Sequence, residues 1–480
     1  MAGIGLTLRK LVADQTYLRG AAAYFSSGII SAGPWLISMI SLALLQGGVA
    51  AFLPKDDRLL LFTTITYIFV CSSIMTGPIQ IVLTRVIADQ IFLREVDIIT
   101  PIFTGTLIQS LVPLTLIVCP FVLFAPFDLS YRLLAASLFL TVSMLWLVLA
   151  AISAAQDYLS LVLAFVLGYG ISAGAALWFG RLYGLMGALA GFNLGQLLCM
   201  ALLCQRIFIE FPERKSAEVH LNEYWREYWI LACIGFFYSA GLWAEKIYYW
   251  FSPGGTVIHG FYRIFPSYDS AILFAYLLTI PASAVFMVNL ETDFYQHYRA
   301  FYTQILRKPG ADASSRTPKG TLDQITQARL SMMSAVRSGF WALLKVQGMI
   351  AVFAILLAPD LAQWLGLAGN RIDTLRVAIL AASGQEFVLY ALLMLLYLDA
   401  RRQTLGLVCI FAISNIGLTI LFAHWTPSVY GLGYLSATIL ATAFGLRQLN
   451  KRLSKLDYLT FMLQPLEAPN KPRALKTSQR

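Results

Sequence analysis

Glu245 and Lys246 stand side by side in a long apolar run, and Lys345 and Glu386 stand in two later ones. A charge at mid-bilayer costs several kcal/mol, so it is retained where it faces a cavity or a partner. Two readings follow. In one, these residues line a polar lumen, with Glu245 or Glu386 as a proton or cation site. In the other, adjacent Glu and Lys point ~100° apart on a helix, and each pairs with a neighbouring helix to hold a bundle together. Arg85 closes an earlier apolar run and reads as a snorkelling anchor rather than a ligand. The run that holds Glu245 also carries Trp243, Tyr248, Tyr249 and Trp250. Aromatic faces suit the apolar C–H faces of sugar rings. Tyr249 and Trp250 lie near the end of the run and fit an interfacial aromatic belt as well. Trp35 and Trp243 are deeper and occupy matching places, as pathway residues or as packing.

Other chemistry finds no support. No Gly-rich loop ends in Gly-Lys-Ser or Gly-Lys-Thr, so the chain does not read as an ATPase, and it has no paired His/Glu metal motif. The four histidines are scattered, and the six cysteines fall in or beside apolar runs without metal-like spacing, as expected of buried free thiols. No soluble stretch is long enough for a nucleotide-sugar enzyme. The expectation is a chain that is not an enzyme and needs no cofactor, with work supplied by a gradient, a partner or polymer synthesis.

The elements that position these residues are membrane helices. The 480 residues are 58% hydrophobic and only 12% charged, with a mean hydropathy of +0.70. Soluble domains carry roughly 25% charged residues. A helix needs roughly twenty apolar residues to cross a bilayer. About twelve such segments can be read, the first six near Tyr24–Gln46, Leu60–Leu83, Ile102–Phe124, Leu133–Ile152, Leu159–Phe179 and Leu185–Leu203. The second six run near Trp229–Trp250, Ala271–Leu290, Phe340–Leu357, Val377–Leu398, Leu405–Phe422 and Leu432–Leu446. With the N-terminus inside, inner segments receive 26 Lys and Arg and outer loops 7. That imbalance places both termini in the cytoplasm and explains the net charge of +10 without nucleic acid. Arg9, Lys10 and Arg19 precede a first span with no small-residue cleavage site, so that span is expected to stay.

Ser31-Ala32-Gly33-Pro34-Trp35 recurs as Ser239-Ala240-Gly241-Leu242-Trp243, and Thr76-Gly77-Pro78 is echoed by Thr279-Ile280-Pro281, each roughly two hundred positions later. Such residues are common in membrane helices, but two echoes at similar offsets favour a duplication. The expected architecture is all-α: two parallel six-helix bundles, residues 1–205 and 229–463, with a pathway at the seam. A charged cytoplasmic linker covers 206–228, a cytoplasmic loop 291–337 and a disordered tail 464–480. Pro34, Pro78 and Pro281 are candidate breaks or kinks. Within the loop, Phe294, Tyr295, Tyr298, Phe301 and Tyr302 share one face of a helical extension of the eighth span. That face would dock a partner or pack on the protein's own helix ends. Residues 308–319, rich in Pro, Gly, Ser and Ala, read as a flexible loop.

Several of these stretches resemble one family. Gly3-Ile4-Gly5-Leu6-Thr7-Leu8-Arg9-Lys10-Leu11 and Ser27-Gly28-Ile29-Ile30-Ser31-Ala32-Gly33-Pro34-Trp35 are similar to the opening of the Pel exopolysaccharide transporter family, PelG. Trp243-Ala244-Glu245-Lys246 with Trp250-Phe251-Ser252-Pro253 resembles its seventh helix. Glu291-Thr292-Asp293-Phe294-Tyr295, with Tyr298-Arg299 and Phe301-Tyr302, resembles its eighth-helix extension. The resemblance implies the multidrug/oligosaccharidyl-lipid/polysaccharide flippase fold. It also implies a bacterial inner-membrane complex that exports Pel, a polymer of N-acetylated amino sugars. The implied partners are the polysaccharide, a cytosolic UDP-sugar glycosyltransferase, a membrane receptor for cyclic di-GMP, a membrane protein with helical repeats, and the lipid bilayer. The receptor, not this chain, would bind cyclic di-GMP. A gradient-driven exporter of small cations or drugs, and a scaffold that transports nothing, remain as rivals.

Overall fold

The computed structural model describes residues 17–155, 158–212, 221–306, 318–364, 371–425 and 429–462. The stretch 3–11, the middle of the linker, most of the 308–319 loop and the tail 464–480 lie outside the described residues. The helices in chain order are α1 (Tyr17–Val49), α2 (Lys55–Leu93), α3 (Ile99–Phe124), α4 (Leu129–Ala155), α5 (Tyr158–Glu210) and α6 (Leu221–Phe251). A hairpin of β1 (Thr256–His259) and β2 (Tyr262–Ile264) follows. Then come α7 (Pro266–Leu277), α8 (Ile280–Asn289), a π-helical turn (Leu290–Phe294), α9 (Tyr295–Leu306), α10 (Pro318–Leu356) and α11 (Ala358–Trp364). The chain continues with α12 (Arg371–Tyr397), α13 (Arg401–Trp425), α14 (Leu432–Ser454) and α15 (Leu456–Met462).

Among the described residues, nine helical stretches are long and apolar enough to cross a membrane. The longest, Leu159–Glu210, is a helical hairpin. Gly184 breaks it with φ 62° and ψ −142°, a conformation that only glycine adopts readily. The two arms then pack tightly. A Cβ on Gly195 would lie 2.2 Å from the Ser172 backbone N, and one on Gly191 would lie 2.4 Å from the Ala175 carbonyl. The fifth and sixth sequence-read spans are these two arms. Exposed Leu111, Val112, Leu116, Ile117 and Phe124 on α3 present an apolar surface suited to lipid.

Two compact units emerge among the described residues. One contains Ala32–Ser270 and Phe411–Pro427, the other Met1–Ser31, Ala271–Ile410 and Ser428–Arg480. In the first, α2 packs on both α4 and α6. In the second, α12 packs on α14 and α10, and α8 and α9 pack on α10. Within the first unit, α6 is drawn onto α2 by facing glycines. A Cβ on Gly235 would come 2.2 Å from the Gly77 carbonyl oxygen.

The all-α class holds with one short hairpin, in which β1 and β2 pair antiparallel across Gly260, which has φ 57°. Pro281 marks a break: it sits in the first turn of α8, just after α7 ends, where a missing N–H costs nothing. Pro34 and Pro78 lie inside α1 and α2. Among the cysteines, Cys71 and Cys119 are exposed rather than buried.

Candidate functional site

The first unit holds a closed polar centre on α6. Glu245 is wholly buried and Lys246 is 5% exposed. They pair with each other, Lys246 Nζ lying 2.5 Å from Glu245 Oε1, and Glu245 also reaches a neighbouring helix. The same ammonium donates to the Leu242 carbonyl at 2.8 Å and lies 5.2 Å from the centre of the Trp243 ring, within cation–π range. From α13, Asn415 Nδ2 donates to Glu245 Oε2 at 2.7 Å and to the Gly241 carbonyl at 2.8 Å. Thr419 donates to Asn415 Oδ1 at 3.3 Å. Trp243 Nε1 donates to Ser73 Oγ of α2 at 3.1 Å. The repeated Ser239–Trp243 motif thus serves packing here. A Cβ on Gly241 would meet the Phe411 ring of α13 at 2.7 Å.

Its first copy behaves differently. Gly33 is buried, while Trp35 is 37% exposed. Tyr249 and Trp250 do not form a lipid-facing belt; both are buried at the base of the hairpin. Trp250 stacks on Tyr67 at 4.8 Å and donates to the Asp269 carboxylate at 3.1 Å. Tyr67 in turn donates to the Arg263 carbonyl of β2 at 2.9 Å. Burial pushes the Tyr262 phenol in β2 above its ordinary range, so it stays neutral.

The second unit holds an open polar centre on α12. Glu386 is 9% exposed. Its Oε1 accepts from Ser283 Oγ of α8 at 3.0 Å, whereas Oε2 has no hydrogen-bond partner among the described residues. One turn earlier on α12, Ser383 accepts from Gln347 Nε2 of α10 at 2.8 Å, and Gln347 Oε1 is likewise buried and unpartnered among the described residues. Tyr276 and Tyr434 share a hydrogen bond at 2.8 Å. A buried carboxylate oxygen without a donor carries a desolvation penalty that a proton or cation would relieve. Lys345 on α10 is exposed and stands outside both centres.

The aromatic extension divides. Phe294 and Phe301 are 3% and 0% exposed. Phe294 packs edge-on against Tyr397 at 5.4 Å, so these two rings serve the protein's own core. Tyr295, Tyr298 and Tyr302 keep partial exposure. Arg85 pairs with Asp89 one turn away at 3.1 Å, and Tyr228 donates to the same Asp89 oxygen at 2.8 Å. Close by, α2, α3 and the start of α6 enclose a cavity of about 290 Å³, lined in part by Val86, Thr106, Gln109, Tyr224 and Trp225.

Asn415, Ser73, Ser283 and Gln347 were missed by reading charges alone. Their signal is an amide or hydroxyl inside an apolar span, where polar groups join helices.

Solved structures similar to this chain include transporters. An outward-facing multidrug resistance MATE family transporter of the MOP superfamily aligns with a TM-score of 0.63 at 16% identity, over 90% of this chain and 96% of that one. A MATE in the straight conformation aligns with a TM-score of 0.62 at 15% identity, over 95% and 99%. A MOP superfamily transporter from Pyrococcus furiosus, whose binding pocket has reversed polarity, aligns with a TM-score of 0.60 at 15% identity, over 90% and 96%. At such identities the likeness shows the fold. No curated protein matches the chain. The family PelG, described as "Putative exopolysaccharide Exporter (EPS-E)", matches residues 1–461. The chain is therefore a multi-pass membrane transporter of MATE-like fold and belongs to the PelG exopolysaccharide exporter family.

Proposed function

We propose that this chain moves a Pel-type polymer of N-acetylated amino sugars from the cytoplasm to the periplasm, across the inner membrane of a bacterium. It would do so with twelve spans in two parallel repeats and both termini inside. The family match over residues 1–461 carries this reading. A neutral N-acetylated chain needs a wet passage with aromatic surface and few fixed charges. The exposed Trp35 on α1 supplies such surface. Glu245 and Lys246 cancel one another's charge and present none to the passage.

The energy comes from the synthase that elongates the polymer, a cytosolic glycosyltransferase using a UDP-sugar. It docks on the exposed part of the aromatic extension, Tyr295, Tyr298 and Tyr302. A membrane receptor for cyclic di-GMP and a helical-repeat membrane protein complete the complex. One observation favours a gradient-driven exporter instead: Glu386 keeps an unpartnered buried oxygen, as a proton or cation site would.

Inverted membrane vesicles containing the assembled complex distinguish the readings. Supplied with the UDP-sugar, they should accumulate polymer protected from an added glycoside hydrolase, and an ionophore should leave the amount unchanged. Abolition of protection by the ionophore, with synthesis intact, would favour the gradient-driven reading. Protected polymer formed without this chain would contradict both.

A further inference from the structure

A buried ionised carboxylate in a membrane helix is stabilised by a positive partner, which can be a free ion or a side chain. In the α6 centre it is part of the chain. The Lys246 ammonium is surrounded by the groups that coordinate a cation: the Glu245 Oε1 oxygen at 2.5 Å, the Leu242 carbonyl oxygen at 2.8 Å and the Trp243 ring at 5.2 Å. The other carboxylate oxygen is taken by Asn415 of α13. Both Glu245 oxygens thus have partners, and the centre is electrically balanced and sealed from solvent.

We infer that Lys246 is a tethered cation, a positioning residue that permanently fills an oxygen-lined cation cage and so holds Glu245 and Asn415 in register across α6 and α13 without any exchangeable ion. The inference does not depend on which cargo the protein exports. It predicts that the intact protein ignores the identity of monovalent cations at this centre. Removing the ammonium opens the cage to a free cation of suitable size. Lysine stripped to alanine loses three carbons and one nitrogen, the atoms of n-propylammonium.

The test is thermal unfolding of the full-length protein in detergent at fixed ionic strength. Choline chloride is compared with NaCl, KCl and n-propylammonium chloride. With Glu386→Gln as the common background, which removes the other buried carboxylate, the protein that keeps Lys246 should melt at the same temperature in all four. Lys246→Ala should melt earlier in choline and recover, saturably, with n-propylammonium or a small metal cation. The doubly neutral variant Glu245→Gln with Lys246→Met should fold and show no cation response. A generic packing defect in Lys246→Ala would not be rescued by a cation, so unrescued instability overturns the inference. In that background it is also overturned by a Lys246-containing protein whose melting depends on the cation, by a doubly neutral variant that responds, or by Lys246→Ala that melts like the Lys246-containing protein in choline. Should Lys246→Ala be recoverable only when purified in n-propylammonium, the inference holds. Should it be lost in every salt while the doubly neutral variant folds, the cage takes no free cation and the inference fails.

Discussion

Gly77 of α2 and Gly235 of α6 face each other so closely that a Cβ on either would strike the other's backbone, at 2.8 Å from the Gly235 oxygen in one direction and 2.2 Å from the Gly77 oxygen in the other. Small residues let membrane helices approach until their backbones touch, where dispersion replaces the hydrophobic drive that lipid removes. Gly235→Leu should therefore force the helices apart and cost about 1–3 kcal/mol. Gly417→Ala on α13, with no neighbour within 4 Å of its Cβ position, should stabilise by up to ~1 kcal/mol through helix propensity. Melting in detergent checks both.

Asn415→Ala leaves Glu245 Oε2 buried without its donor. A hydrogen bond to a charged group contributes about 1.5–3 kcal/mol, and a loss of that size is expected in the unfolding of the purified protein. Asn415→Asp should be worse, because it sets a second carboxylate against the first.

Phe301→Ala and Tyr295→Ala separate the two roles of the aromatic extension. Phe301 is fully buried, so its truncation should cost about 3–5 kcal/mol of stability. Tyr295→Ala should leave abundance unchanged and reduce co-purification of the glycosyltransferase. Unchanged co-purification in a Tyr295, Tyr298 and Tyr302 triple alanine variant would contradict docking there.

How much of this was legible in the sequence depends on distance along the chain. The apolar runs, the charge asymmetry and the helical continuation through residues 291–306 rest on local periodicity, which a sequence displays directly. The break between α5's arms falls between the apolar runs read near Leu159–Phe179 and Leu185–Leu203. The Glu245–Asn415 contact joins residues 170 positions apart, and nothing local in either span announces it. Likewise, Trp250 read as an interfacial anchor because its partner Asp269 belongs to the next helix and the hairpin between them has only seven strand residues.

Glu386→Gln removes the charge but keeps the shape and the Ser283 contact. Abundance should be unchanged. If Glu386 serves export, secreted polymer should fall about tenfold, the equivalent of roughly 1.4 kcal/mol in a rate-limiting step. Normal secretion would assign the carboxylate to packing alone.

The most direct measurement places a plug at the proposed pathway. Trp35→Cys, in a background with the six native cysteines replaced, is labelled with a bulky maleimide in inverted vesicles that hold the assembled complex. Polymer synthesis and polymer protection are then measured together after adding UDP-sugar. The account predicts continued synthesis with protected polymer lost on labelling and retained in the unlabelled control. Undiminished protection in fully labelled protein would contradict a passage lined by α1.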